Sequence, residues 1–228
     1  MLAFPGINLE VGMRRLGIFV MLLGMWVGSS ALALGFSVRG ALWYFGAFGL
    51  EAEAEYADKL DQNLTWGVRA SFQGLPLSSP VLIVPNGFIE YRQNLLQDVN
   101  TTLSGYGKLE MGIGLVPQFF PRAVLTAGAD GRTPVAEGID GFAQTSTYFD
   151  FIPTNRVRLG VTGRVGAVLI PFIPYLGAEY YYDFIPKTSV PKVYAGSLMY
   201  LSPQIFVGLE GGFNPGGFVR LLFQWSER

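Results

Sequence analysis

Three carboxylates at alternate positions, Glu51, Glu53 and Glu55, stand in the segment Leu50-Glu51-Ala52-Glu53-Ala54-Glu55-Tyr56. Paired acids can act as general acid and base, hold a hard cation, or neutralise arginines. Glycoside hydrolysis needs two carboxyls facing each other across a substrate, whereas these three follow one another along one stretch of chain. No Asp-x-Asp-x-Asp-Gly calcium loop occurs in the sequence. The chain contains no histidine and no cysteine. That removes Ser-His-Asp triads, imidazole-ligated metals, thiolate nucleophiles and zinc–sulfur sites. Gly208-Leu209-Glu210-Gly211-Gly212 lacks the Lys-Ser or Lys-Thr of a phosphate loop and reads as strand packing. What remains is the chemistry of ion pairing, and neither a catalytic set, a metal nor a cofactor is expected.

The elements that carry these charges are set by period two. As an extended strand, residues 50–56 put the acids on one face and small or aromatic residues on the other. The same alternation recurs in Leu64-Thr65-Trp66-Gly67-Val68-Arg69-Ala70-Ser71-Phe72, in Val157-Arg158-Leu159-Gly160-Val161-Thr162-Gly163-Arg164-Val165 and in Val219-Arg220-Leu221-Leu222-Phe223-Gln224-Trp225. Half of the 228 residues are hydrophobic and only 14% are charged, where a water-soluble domain has about a quarter charged. Beyond residue 33 no stretch offers the roughly 20 unbroken apolar residues of a membrane helix. Hydrophobicity spread evenly, with 30 glycines and 14% aromatics, suits membrane-spanning strands.

Strand segments are expected at 36–44, 48–57, 64–72, 82–92, 103–116, 142–151, 156–169, 175–183, 192–201, 204–212 and 218–225. Residues 117–140 read either as one more strand at 123–129 or as a long surface loop holding Asp130-Gly131. Separators such as Ser202-Pro203 and Asn214-Pro215-Gly216-Gly217 are turn-like and permit only antiparallel neighbours. The fold class read from this pattern is all-β: an antiparallel up-and-down transmembrane β-barrel, a meander of about ten strands with eight to twelve allowed. Ten is preferred because 195 residues leave little for loops at twelve.

Alternation alone does not say which face is inside. A soluble lipocalin-like barrel has the same period with its apolar face lining a ligand cavity, and a soluble periplasmic barrel binding an apolar ligand is the alternative reading. An apolar face unbroken by charge, and aromatics gathered near strand ends, favour the membrane orientation. On that reading the lumen carries Glu51, Glu53, Glu55, Glu90, Glu110, Glu179, Asp183 and Glu210 against Arg39, Arg69, Arg92, Lys108, Arg158, Arg164 and Arg220. Charges inside a low-dielectric shell persist when paired, so a near-neutral network is expected to fill and brace the interior or to line a narrow path. Trp43, Tyr44, Tyr180, Tyr182, Phe223 and Trp225 are assigned to the membrane interfaces.

The amino end reads as an address. Met13-Arg14-Arg15, an apolar run from Leu16 to Val27 and Ser30-Ala31-Leu32-Ala33 have the order of a secretory signal peptide. The reading is a signal-peptide helix within residues 1–33, a true start at Met13, and a barrel domain over 34–228. Without residues 1–33 the chain holds 14 basic and 16 acidic residues, which gives no reason to expect nucleic acid as a partner.

The amphipathic strands, this leader and the aromatic closing segment Leu221-Leu222-Phe223-Gln224-Trp225 together resemble the small outer-membrane β-barrels of the OmpA/OmpX type. The resemblance implies export to the bacterial outer membrane, a lipid bilayer as partner, and assembly by the barrel-assembly machinery. Such proteins usually end on an aromatic, whereas Ser226-Glu227-Arg228 follows Trp225 here. Outer-membrane phospholipases, palmitoyl transferases, lipid A deacylases and omptin-type proteases resemble the chain in architecture but rely on an active-site histidine, so no enzyme is expected. A structural or adhesive role, or a narrow passive pore, is the function expected. A surface-loop ligand is considered for residues 73–80 and 117–140.

Overall fold

Alternating segments joined by brief connections leave each strand to pair with its neighbour in sequence. The structure, a computed structural model, describes residues 35–44, 48–74, 82–98, 100–115, 119–153, 156–214 and 216–227. The leader assigned to residues 1–33 lies outside the described residues. The strands are β1 (Gly35–Tyr44), β2 (Phe48–Lys59), β3 (Leu64–Gly74), β4 (Leu82–Gln97), β5 (Thr102–Gly114), β6 (Phe120–Ala136), β7 (Ile139–Ile152), β8 (Arg156–Val168), β9 (Phe172–Asp183), β10 (Thr188–Ser202), β11 (Ile205–Phe213) and β12 (Gly217–Ser226). They form one closed antiparallel meander, and β12 returns to pair with β1 from Ser37 opposite Ser226 to Tyr44 opposite Val219.

Twelve strands, not ten, make the barrel. The chain accommodates them because its connections shrink to between two and seven residues, the longest joining β3 to β4. The region 117–140 is not a surface loop. It holds the 17-residue β6, inside which Asp130 and Gly131 face Ser104 and Leu103 of β5. The chain turns later, at Glu137-Gly138, where a φ of 71° at Gly138 suits a residue without Cβ.

Followed strand by strand, the registers return to β1 displaced by about 16 residues, which for twelve strands gives a tilt of about 40–45° and a backbone radius of about 12 Å. Both ends of the barrel segment lie at one rim, here the terminal rim, with the β2–β3, β4–β5, β6–β7, β8–β9 and β10–β11 turns. The other six connections form the far rim.

The registers also fix which face is inside. Side chains from strands that do not touch meet on one face: Arg220 of β12 reaches Glu51 of β2, Arg69 of β3 reaches Glu110 of β5, and Tyr148 of β7 reaches Glu179 of β9. Strands two places apart bring their side chains together only on the concave side. Counting by two from these anchors, every Lys, Arg, Asp and Glu of the described strands points inward except Asp58, beside the β2–β3 turn. The outward set is mostly apolar, as at Leu42, Val161 and Leu209, which are 44%, 46% and 54% exposed, with a few uncharged polar residues such as Thr145 and Thr147. This is the reverse of the soluble-barrel reading, in which the apolar face would line the interior.

The many glycines have a geometric use. Inward-facing rings lie flat over glycines of the adjacent strand: Trp43 over Gly49, Phe88 over Gly67, Tyr148 over Gly160, Phe142 over Gly166, and Tyr194 over Gly177. A Cβ at any of these glycines would collide with the ring. Each pair presses an aromatic against the wall, where it thickens the barrel without crossing it.

Candidate functional site

The inward face encloses one lumen of about 1250 Å³, lined by residues from all twelve strands. Its chemistry begins at the Glu-bearing strand. Extended backbone places Glu51, Glu53 and Glu55 on one face of β2, and the antiparallel registers set Arg39 beside Glu53 and Arg69 beside Glu55. Arg69 is the hub. Its Nε donates to Glu55 Oε2 at 2.8 Å and its Nη1 to Glu110 at 3.0 Å, with Glu53 at 3.6 Å. Lys108 adds a second cation, 3.2 Å from Glu110 and 3.9 Å from Glu55, and sits 3.9 Å from the centre of the Phe88 ring. Arg39 lies looser, 3.7 Å from Glu53 and 54% exposed in its side chain. Three acids around two enclosed cations have the geometry in which charges tolerate partial removal from water.

A second group joins the barrel across its closing seam. Arg220 donates to Glu51 at 2.5 Å and to Glu210 at 3.4 Å, and Glu210 also accepts from the Tyr175 hydroxyl at 3.1 Å. Gln73 donates to Glu51 at 3.1 Å. Elsewhere Arg158 meets Asp183 at 3.4 Å and lies over the Tyr181 ring at 3.8 Å. Glu179 accepts from Tyr148 at 2.7 Å with Lys192 at 4.0 Å, and Arg92 bridges Glu90 and Asp130. The structure thus places all fifteen of the anticipated charges on the inward face and gives fourteen of them a partner of opposite charge.

Arg164 is the exception. Its Nε and Nη2 donate to Gln144 Oε1 at 3.2 and 2.7 Å, and it lies 5.1 Å from the Tyr175 ring centre and 5.7 Å from that of Phe142. Among the described residues no carboxylate contacts it. It stands in a lumen wall otherwise lined by the uncharged Thr126 and Ser146.

Sequence reasoning missed eight inward charges: Lys59, Arg122, Asp130, Arg132, Asp140, Asp150, Arg156 and Lys192. Asp150 is buried and receives Arg122 at 2.9 Å and Arg156 at 3.4 Å, while Arg132 pairs with Asp140 across β6 and β7. The signal was present in β6, where Arg122, Val124, Thr126, Asp130 and Arg132 share a parity. Its other face is Pro121, Ala123, Leu125, Ala127, Ala129 and Gly131, where one leucine among small residues gives little contrast.

The aromatics divide. Tyr44, Tyr180 and Tyr182 face outward near the far rim, and Tyr44 packs on the outward Phe48 with ring centres 5.1 Å apart. Trp225 faces outward at the terminal rim beside Phe36, 5.8 Å between centres, and Phe223 lies two positions further from that rim. Trp43 is a correction. It lies opposite Gly49 and Arg220, over Gly49, on the lumen face. Adjacent residues of a strand point opposite ways, so Trp43 and Tyr44 cannot both face lipid. Tyr181 between Tyr180 and Tyr182 obeys the same rule.

No family model matches the chain, and no curated protein is similar to it in sequence. Solved structures are similar in fold. The KdgM porin aligns over 84% of this chain and 99% of its own with a TM-score of 0.54 and 12% identity. The NanC porin aligns over 85% and 99% at 0.55 and 8%. An outer membrane channel from Pseudomonas putida F1 aligns over 87% and 97% at 0.51 and 9%. The chain therefore has the fold of outer-membrane β-barrels.

Proposed function

We propose that this chain is a passive pore of the bacterial outer membrane, admitting small hydrophilic solutes. The observation that carries the proposal is the lumen: about 1250 Å³ of space bounded by side chains from every strand, charged and polar ones such as Arg39, Glu51, Arg69, Gln144 and Glu210 among apolar ones such as Val84 and Ile173, inside a wall whose outer face is largely hydrocarbon. No connection between strands exceeds seven residues, so none has the length to fold back as a plug. The fold shared with porins and a channel supports the reading. Outward aromatics near both rims suit the two bilayer interfaces. Export by residues 1–33 and insertion by the barrel-assembly machinery belong to the same proposal. Connections this short leave little surface for an adhesive or ligand-binding role.

Selectivity should be modest. Strands β2 and β8 stand six places apart in a ring of twelve, hence on opposite walls. One bears Glu51, Glu53 and Glu55, and the other Arg156, Arg158 and Arg164. A solute passing between them meets acid on one side and guanidinium on the other, an arrangement that orients dipolar solutes more than it rejects either ion. The test is reconstitution of the refolded, heat-modifiable protein in planar bilayers and in liposomes. Stable unitary currents and swelling in isosmotic monosaccharide or amino-acid solutions are expected. A correctly folded barrel that leaves bilayers at baseline conductance and liposomes unswollen would refute the proposal.

A further inference from the structure

The charges that balance across the whole chain do not balance along the barrel axis. Within two residues of the far strand ends and in the far connections stand four bases, Arg122, Arg156, Arg158 and Lys187, with two acids, Asp150 and Asp183. Asp150 is shared by Arg122 and Arg156, so one carboxylate answers two guanidiniums. The six far-rim connections contain no acidic residue in the sequence, and their single charge is Lys187. The terminal rim is the opposite. Its lumen edge carries Glu90, Asp130 and Asp140 with Arg92 and Arg132. Its turns add Asp61, Asp98 and Glu137, while at the end of β2 Asp58 and Lys59 cancel, as do Glu227 and Arg228 in the sequence after β12. The surplus is two positive charges at one mouth and four negative at the other.

We infer that the pore is electrically polarised along its axis, with an anion-attracting far mouth and a cation-attracting terminal mouth, and therefore that it rectifies. This inference rests on the pore reading above. Strands tilted at about 40–45° hold the mouths roughly 25–30 Å apart, against a screening length of about 10 Å in 0.1 M salt, so each mouth keeps its own counterion atmosphere. A voltage that makes the terminal side positive drives cations in through the acidic mouth and anions in through the basic one. Both carriers then accumulate in the lumen and the current is large. The opposite voltage draws each carrier out through the mouth that attracts it and admits it through the mouth that repels it, so the lumen empties of ions. For the solutes carried, anions enter more readily from the far rim and cations from the terminal rim.

The test is the current–voltage curve of single channels in KCl. In 0.1 M KCl the currents at +100 and −100 mV should differ about twofold or more, and in 1 M KCl, where screening falls to about 3 Å, the curve should become nearly straight. Because the chain has no cysteine, Gln62→Cys in the exposed β2–β3 turn supplies one thiol at the terminal rim. An impermeant cationic thiol reagent alters the current only from the compartment facing that rim, which fixes the sign. Arg156→Gln with Lys187→Gln cancels the far surplus, and Asp61→Asn with Glu137→Gln weakens the terminal one. Both pairs should bring the ratio toward one. A straight curve in 0.1 M KCl, larger current with the terminal side negative, or a ratio indifferent to both pairs overturns the polarity and leaves the pore intact. Absence of any conductance overturns the pore itself, and this inference with it.

Discussion

Neighbouring residues on β8 give the sharpest test of the inside-out arrangement. Val161 and Thr162 are adjacent, near mid-height, and face opposite ways: Val161 lies outward and 46% exposed, and Thr162 lies inward, directly across from Glu179. Arginine at position 161 would place a guanidinium in hydrocarbon with no partner within reach, a cost of about 2–4 kcal/mol near the bilayer midplane, equivalent to roughly 30- to 1000-fold in the folding equilibrium. Arginine at 162 enters the lumen opposite the Glu179 carboxylate. Its losses are confined to what the threonine hydroxyl supplies, and the new ion pair offsets part of that. The change should stay within about 1 kcal/mol. Reversible urea unfolding in lipid vesicles, followed by tryptophan fluorescence and by gel migration before and after boiling, measures both. Val161→Arg should shift the midpoint markedly and Thr162→Arg little. Equal shifts, or a larger one for Thr162→Arg, would show the faces reversed and refute the membrane assignment.

Arg69→Met removes the hub from Glu53, Glu55 and Glu110 and leaves them Lys108 and the loosely held Arg39. Because the arginine side chain is 17% exposed, a loss of about 3 kcal/mol is expected in the same unfolding assay, partly recovered by adding Glu55→Gln. Gly160→Val drives two methyl groups into the Tyr148 ring and should cost about 1–3 kcal/mol; the double variant with Tyr148→Ala should regain most of it, and no recovery would show that the glycine serves another purpose.

Most of the fold was legible because a barrel wall repeats one local rule. Period-two alternation marked eleven strands, and short polar separators forced the meander. The twelfth, β6, is obscured by its own composition: Pro121, Ala123, Leu125, Ala127, Ala129 and Gly131 offer a single large apolar residue to lipid, and Asp130-Gly131 imitates a turn. The preference for ten strands came from expecting loops longer than the chain spends. The lumen charges were legible by parity alone, but their partners were not. Arg220 and Glu51 are 169 positions apart in sequence, and only barrel closure brings them to 2.5 Å. The run Trp43-Tyr44 hides the inward position of Trp43, because the strand period sends adjacent aromatics to opposite faces.

Bracing and conducting look like alternatives when a charged interior is read from sequence, and strand number decides between them. Eight strands give an interior just wide enough for side chains to fill. Ten strands of ordinary shear have a backbone radius of about 10 Å, while twelve with a shear of about 16 have about 12 Å. Arginine extends about 7 Å from the backbone and glutamate about 5 Å, so the smaller radius leaves a much narrower gap between opposite walls than the larger. The ion pairs respect this limit. Among the described residues none joins strands more than three places apart, the widest being Lys108 of β5 to Glu55 of β2, and most join neighbours. The network therefore lies along the wall like a lining, held there by rings laid over glycines, and the axis is left to water. The same charges that compensate one another laterally, and so stabilise the barrel, remain uncompensated lengthwise at its two mouths, where ions crossing the proposed pore would feel them.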